Sequence, residues 1–126
     1  HGVPYVATAS VSNLRDLERK VTHAMSIEGA RYIHIFVPCP LGWGSAPEDT
    51  IKVARLAVET GLFPLFEAHH GEITDRTHIR HQVPVTEYLK LQKRFAHLFG
   101  KSPDHERIAR IQKMADHNIA EYGLLQ

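Results

Sequence analysis

Three short apolar runs, Pro4 to Ser10, Arg31 to Cys39 and Leu62 to Ala68, alternate with two stretches whose apolar residues recur at helical spacing. That alternation constrains the fold more than any other feature, because strands joined through a helix run parallel and need helices covering at least one face of their sheet. The first helical stretch carries Leu14, Leu17, Val21, Ala24 and Met25 on one face, with Asn13 and Asp16 near its start and Gly29 at its end. The second has Ser45 and Glu48 at capping-box spacing, Pro47 in its first turn and Gly61 as its stop. Pro64 suits an edge position or a third strand that starts just after it.

From Glu72 to Val83 the chain turns polar, consistent with a hairpin-like excursion. Two closing helices are expected. One spans Pro84 to Phe99 with Tyr88, Leu91, Phe95 and Leu98 on one face; the other spans Pro103 to Tyr122 with Ile108, Ile111, Ala115, Ile119 and Tyr122 on one face and Ser102 as N-cap. The expectation is α/β: a parallel sheet with packed helices over residues 1–83 and a helical extension over residues 84–126.

With 126 residues, one core is feasible. A formal net charge of +1 gives no electrostatic footprint for nucleic acid or an anionic membrane. No apolar run approaches the roughly 20 residues that span a bilayer, and the start lacks the charged and apolar regions of a signal peptide. A soluble, cytoplasmic protein is expected, and the single cysteine agrees with a reducing compartment. The opening His1, followed almost at once by an apolar run, reads as a piece of something longer.

The chemistry concentrates in Val37-Pro38-Cys39-Pro40-Leu41-Gly42-Trp43-Gly44, which holds the only cysteine and the only tryptophan. Ligands of open parallel sheets gather beyond the carboxyl ends of strands, where Cys39 lies. Pro38 and Pro40 fix the backbone, Gly42 and Gly44 permit turns, and Trp43 offers an apolar cover. Spacing leaves three readings of Cys39 open: a small buried hydrophobe, a nucleophile, or one ligand of a shared metal centre.

His69, His70, His78 and His81 suggest zinc but match no defined motif, and a solvated polar loop is the simpler reading. His34 reads as a core histidine hydrogen-bonded to backbone, and Ser10 and Ser12 as helix caps. Glu59, Glu67 and Glu87 lack partners placed by periodicity, and Asp16 with Lys20 reads as ordinary helix-face support. No catalytic acid or base stands out.

Taken in order, "PYVATAS", "DLERKVTHAM", "YIHIFVPCPLGWG", "ARLAVETGLFPLFE", "VTEYLKLQKRFAHL" and "RIARIQKMADHNI" cover nearly the whole chain. They resemble the C-terminal part of the β subunit of the thiamine-diphosphate-dependent 2-oxoacid:ferredoxin oxidoreductases, the pyruvate:ferredoxin type in particular. "PCPLGW" and "LAVETGLFPLFE" are the specific words, whereas the final helix is generic. The resemblance implies that residues 1–83 are the C-terminal half of a thiamine-diphosphate-binding domain, with 84–126 packed on it.

It further implies that Cys39 is one of four ligands of a 4Fe-4S cluster, with Pro38, Pro40, Gly42 and Trp43 surrounding it. The other three cysteines, and the segment that holds magnesium and thiamine diphosphate, would lie in the missing N-terminal part of the β subunit. No cofactor-binding residue for thiamine diphosphate is expected in this chain. Partners implied are the α and other subunits, ferredoxin, pyruvate and coenzyme A, with related enzymes taking other 2-oxoacids. The contrasting expectation is a non-catalytic α/β scaffold whose cysteine is buried and idle.

Overall fold

The computed structural model describes all residues, His1 to Gln126. The chain runs β1 (Tyr5–Ser10), α1 (Leu14–Met25), β2 (Arg31–Phe36), α2 (Pro40–Trp43), a 3-10 turn (Pro47–Asp49), α3 (Thr50–Glu59), β3 (Phe66–His69), β4 (Glu72–Arg76), α4 (Val85–Leu89), a second 3-10 stretch (Lys93–Leu98) and α5 (His105–Tyr122). The α/β class expected from the sequence holds. No helix is long and apolar enough to cross a membrane.

The four strands form one sheet in the order β2-β1-β3-β4. Only β1 and β2 run parallel, with Tyr5 opposite Arg31 and Ser10 opposite Phe36. The fully parallel sheet is therefore corrected to a mixed one, since β3 lies antiparallel to β1 and β4 antiparallel to β3. Apolar periodicity carries no information about strand direction, so the sequence could not distinguish the two arrangements.

Thr8 fixes the entry of β3: its hydroxyl donates to the Pro64 carbonyl at 2.6 Å and accepts from the Phe66 amide at 3.0 Å. β3 starts just after Pro64, in an interior position rather than at an edge. A hairpin forms earlier in the chain than the expected excursion over residues 72–83: β3 and β4 are joined by His70 and Gly71, both at positive φ as a two-residue turn of the I′ kind requires, and no strand follows Arg76.

The two faces of the sheet are covered differently. Tyr5, Ala7 and Ile33 pack under α1 with Ala24. Across the sheet, Phe36 and Phe63 join a larger cluster built from Val53, Leu56 and Ala57 of α3, Val85, Tyr88 and Leu89 of α4, Leu98, and Ala115 of α5. This cluster draws on both the sheet-bearing part and the helical extension. α5 presents Ala115 and Ile119 to the core on its expected face, and Gly61 ends the preceding segment at a φ of 86°, where a Cβ would come within 2.7 Å of Ile119 Cγ1.

Several local expectations give way. Leu14, Val21 and Met25 of α1 are exposed, while Lys20 and Ala24 are the helix's buried residues. Ser45 and Glu48 form no capping box: the region folds as the separate short α2 and 3-10 turns before α3, and the Ser45 hydroxyl is buried without a partner. The helix expected from Pro84 to Phe99 breaks after Leu89, because Gln92 takes an extended conformation (φ −125°, ψ 119°) and turns the side chains beyond it. Asp104, not Ser102, caps α5, accepting from the Arg107 amide at 3.0 Å.

Candidate functional site: an exposed thiol at the end of β2

β2 ends at Phe36, and buried Pro38 carries the chain to Cys39, which is extended (φ −109°, ψ 101°) at the N-cap of the one-turn helix α2. Pro40 opens that helix where a missing amide hydrogen costs nothing. The Cys39 carbonyl accepts from the Trp43 amide at 3.0 Å, and the Pro40 carbonyl accepts from Gly44 and Ser45 at 2.9 and 3.1 Å. Gly44 then reverses direction at a φ of 68°, and its carbonyl accepts from the Lys93 amide at 3.1 Å. A Cβ at Gly44 would fall 2.6 Å from Lys93 Cβ, so this position requires glycine for both its backbone and its packing.

Trp43 anchors the loop. Its ring packs on Phe36 at a centroid separation of 5.6 Å, and the Arg94 guanidinium lies 4.0 Å above it. Arg94 is held in turn by Gln92 Oε1 at 2.8 Å and the Tyr88 hydroxyl at 3.2 Å. The backbone around Cys39 is thus tied to the core while its side chain faces outward.

Cys39 is exposed, which corrects the reading of it as a small buried hydrophobe. A Cβ at Gly42 would sit 3.5 Å from Cys39 Sγ, ordinary contact, so Gly42 leaves the sulfur's near side uncrowded. No histidine hydrogen-bonds the thiol, and no three His, Cys, Asp or Glu side chains converge as a metal-ligand set. As a donor set for a 4Fe-4S cluster, which generally takes four thiolates, the chain fits as the source of one ligand and not as a complete site.

The histidines disperse. His69 meets His23 of α1, Nε2 to Nε2 at 2.9 Å, and Thr74 Oγ1 at 2.7 Å from its other nitrogen. His78 and His81 line a cleft with Arg55, Arg80, Glu59 and Asn13, beyond the carboxyl end of β1. His34 is exposed on β2 and contacts Phe63 edge-on, so it is not a core histidine. Ser10 and Ser12 bond to each other at 2.9 Å, and Ser12 donates to Asn13 Oδ1 at 2.7 Å, so neither caps α1.

The sequence reading missed a buried polar network. Glu67, 4% exposed, accepts from the Tyr5 hydroxyl at 2.7 Å and pairs with Arg19 at 2.9 Å. Burial acts to raise the Glu67 pKa, but the hydrogen bonds from Tyr5 and Arg19, with the charges of Arg19 and Lys20, outweigh it and hold the carboxyl below its ordinary value. Burial, then the hydrogen bond to Glu67, pushes the Tyr5 phenol well above its usual range.

Lys20 is fully enclosed, donating to the Thr8 carbonyl at 2.8 Å and Asp16 at 2.6 Å, so the pair is an internal tie rather than surface support. One signal was available: Glu67 interrupts an otherwise apolar strand, where a carboxylate demands a partner.

The chain is similar to proteins named as enzyme subunits. In particular it is similar to pyruvate synthase subunit PorB of Methanosarcina barkeri, 48% identical over 124 residues, which are 98% of this chain and 42% of the relative. PorB of Methanocaldococcus jannaschii is 49% identical over 124 residues, 98% of this chain and 40% of the relative. Ketoisovalerate oxidoreductase subunit VorB of Pyrococcus abyssi is 44% identical over 100 residues, 78% of this chain and 32% of the relative. No protein-family profile matches the chain. The chain spans about two-fifths of the length of the PorB relatives it matches.

Proposed function

We propose that the chain is the C-terminal part of the β subunit of a cytoplasmic 2-oxoacid:ferredoxin oxidoreductase of the pyruvate type, and that Cys39 supplies one thiolate to a 4Fe-4S cluster. The observation that carries this reading is an outward thiol on a loop tied to the core by Trp43, Gly44 and Arg94, in a chain 48% identical to a pyruvate synthase subunit. The remaining three ligands, and the residues for magnesium and thiamine diphosphate, belong to polypeptide outside this chain. The cluster would relay electrons to ferredoxin as pyruvate and coenzyme A are converted to acetyl-CoA and carbon dioxide, or in the reverse direction.

This chain's share is placement. Pro38 and Pro40 restrict the backbone on either side of the thiol, Gly42 keeps space open beside the sulfur, and Trp43 fixes the loop and contributes apolar surroundings that tune a cluster's potential. Cys39→Ala in the assembled oxidoreductase should remove about four irons per subunit and abolish one cluster's low-temperature paramagnetic signal. Unchanged iron and an unchanged signal would overturn the assignment.

A further inference from the structure

The polar stretch after β4 has neither strand nor helix until α4, yet it is held in place. The Thr77 amide donates to the Leu65 carbonyl at 2.8 Å, the Ile79 amide to Leu124 at 2.8 Å and the Val83 amide to Glu59 at 3.1 Å. The Gln82 side chain donates to the Thr60 carbonyl at 3.3 Å and to Asp116 at 2.7 Å, and Ile79 is buried. What this tied loop turns to solvent is basic. His78, Arg80 and His81 are exposed, and all three line one cleft with Arg55 of α3. The cleft holds about 450 Å³, the size of a small-molecule site.

Its positive charge is uncommitted. Neither Arg55 nor Arg80 takes part in an ion pair, although Glu59 stands one turn from Arg55 on the same helix. Glu59 is the only acid on the wall. Ser12 and Asn13 complete that wall at the start of α1, where no side chain caps the helix, and the positive end of the helix adds to the attraction for an anion. None of the lining residues belongs to the Cys39 loop.

We propose that this cleft binds the phosphate group of a small molecule, gripped by Arg55 and Arg80 with His78 and His81 as further donors. Two cationic forks call for a doubly charged ligand, and the three terminal oxygens of a phosphate let both forks dock at once, which the two oxygens of a carboxylate do not. A neutral imidazole still offers one N–H, so both histidines donate without carrying charge. Free phosphate and phosphomonoesters share this chemistry, and Glu59 tells them apart: its carboxylate repels the bare ion but accepts from a hydroxyl on the body of an ester. The proposal rests neither on the PorB reading nor on the role of Cys39.

The test is equilibrium dialysis of radiolabelled inorganic phosphate against the assembled oxidoreductase, comparing wild type with Arg55→Ala/Arg80→Ala. Phosphate sites elsewhere in the complex are common to both proteins and cancel. Wild type should bind one more phosphate per copy of this chain than the double variant. Either single alanine variant should weaken that site at least about tenfold, and Arg80→Lys, which keeps the charge and loses the fork, should weaken it less. Arg107→Ala, on α5 and outside the cleft, should leave it unchanged.

Competition then identifies the source. Glycerol 3-phosphate displacing the label better than unlabelled phosphate, with that preference lost in Glu59→Gln, assigns the site to an ester; equal displacement assigns it to the free ion. Equal phosphate binding by wild type and the double variant would overturn the proposal. So would acetate displacing the label as well as phosphate does, which would mark a carboxylate site. Neither result alters the iron count that tests Cys39, so the two readings fail separately.

Discussion

Glu67 shows how a carboxylate is made tolerable inside a sheet. Tyr5 and Arg19 satisfy one oxygen each, and removing either partner leaves charge without solvation. Tyr5→Phe is expected to cost about 1–3 kcal/mol, read from urea unfolding at neutral pH. Because the folded-state pKa of Glu67 is depressed, its contribution is present above the unfolded carboxylate range and is lost as pH falls through the folded value. Wild-type stability should therefore drop on acidification below about pH 4.5, and Glu67→Gln should flatten that dependence while lowering stability at neutral pH; parallel slopes would contradict the network's role. At Gly44 the constraint is steric and conformational together, and Gly44→Ala should cost at least about 1–3 kcal/mol in thermal unfolding.

At the scale of elements, the strands and long helices were legible because their residues repeat over enough positions to define a period. α5 is the clearest case, with Ala115 and Ile119 buried on the expected face. α4 was harder: Tyr88, Leu91, Phe95 and Leu98 are spaced as one helical face, but Gln92 breaks the helix, and its side-chain amide donates to the Tyr88 carbonyl at 2.8 Å. That long-range fit of Arg94 onto Trp43, stabilising the break, has no local signature. The same break aims Arg94 at the thiol-bearing loop, so Arg94→Ala is expected to destabilise the chain by about 0.5–2 kcal/mol, with faster amide exchange at residues 40–45 than elsewhere. An even change across the molecule would argue against a specific anchor.

For the molecule as a whole, sequence placed Cys39 at a strand end, and the fold sets it there with an outward sulfur. The depth of Lys20 and Glu67, the antiparallel turn of β3 and the dispersal of the histidines depend on contacts between distant segments, which no spacing encodes. The helical spacing of Leu14, Val21 and Met25 pointed to a buried face of α1, yet all three are exposed.

Trp43, the chain's single indole, stands four residues from Cys39 and is packed in one fixed place. Its emission is thus a built-in optical gauge of that loop. An inorganic chromophore bonded to the neighbouring sulfur would drain the excited state by energy transfer, so filling and emptying of the centre could be followed by light alone, without labels.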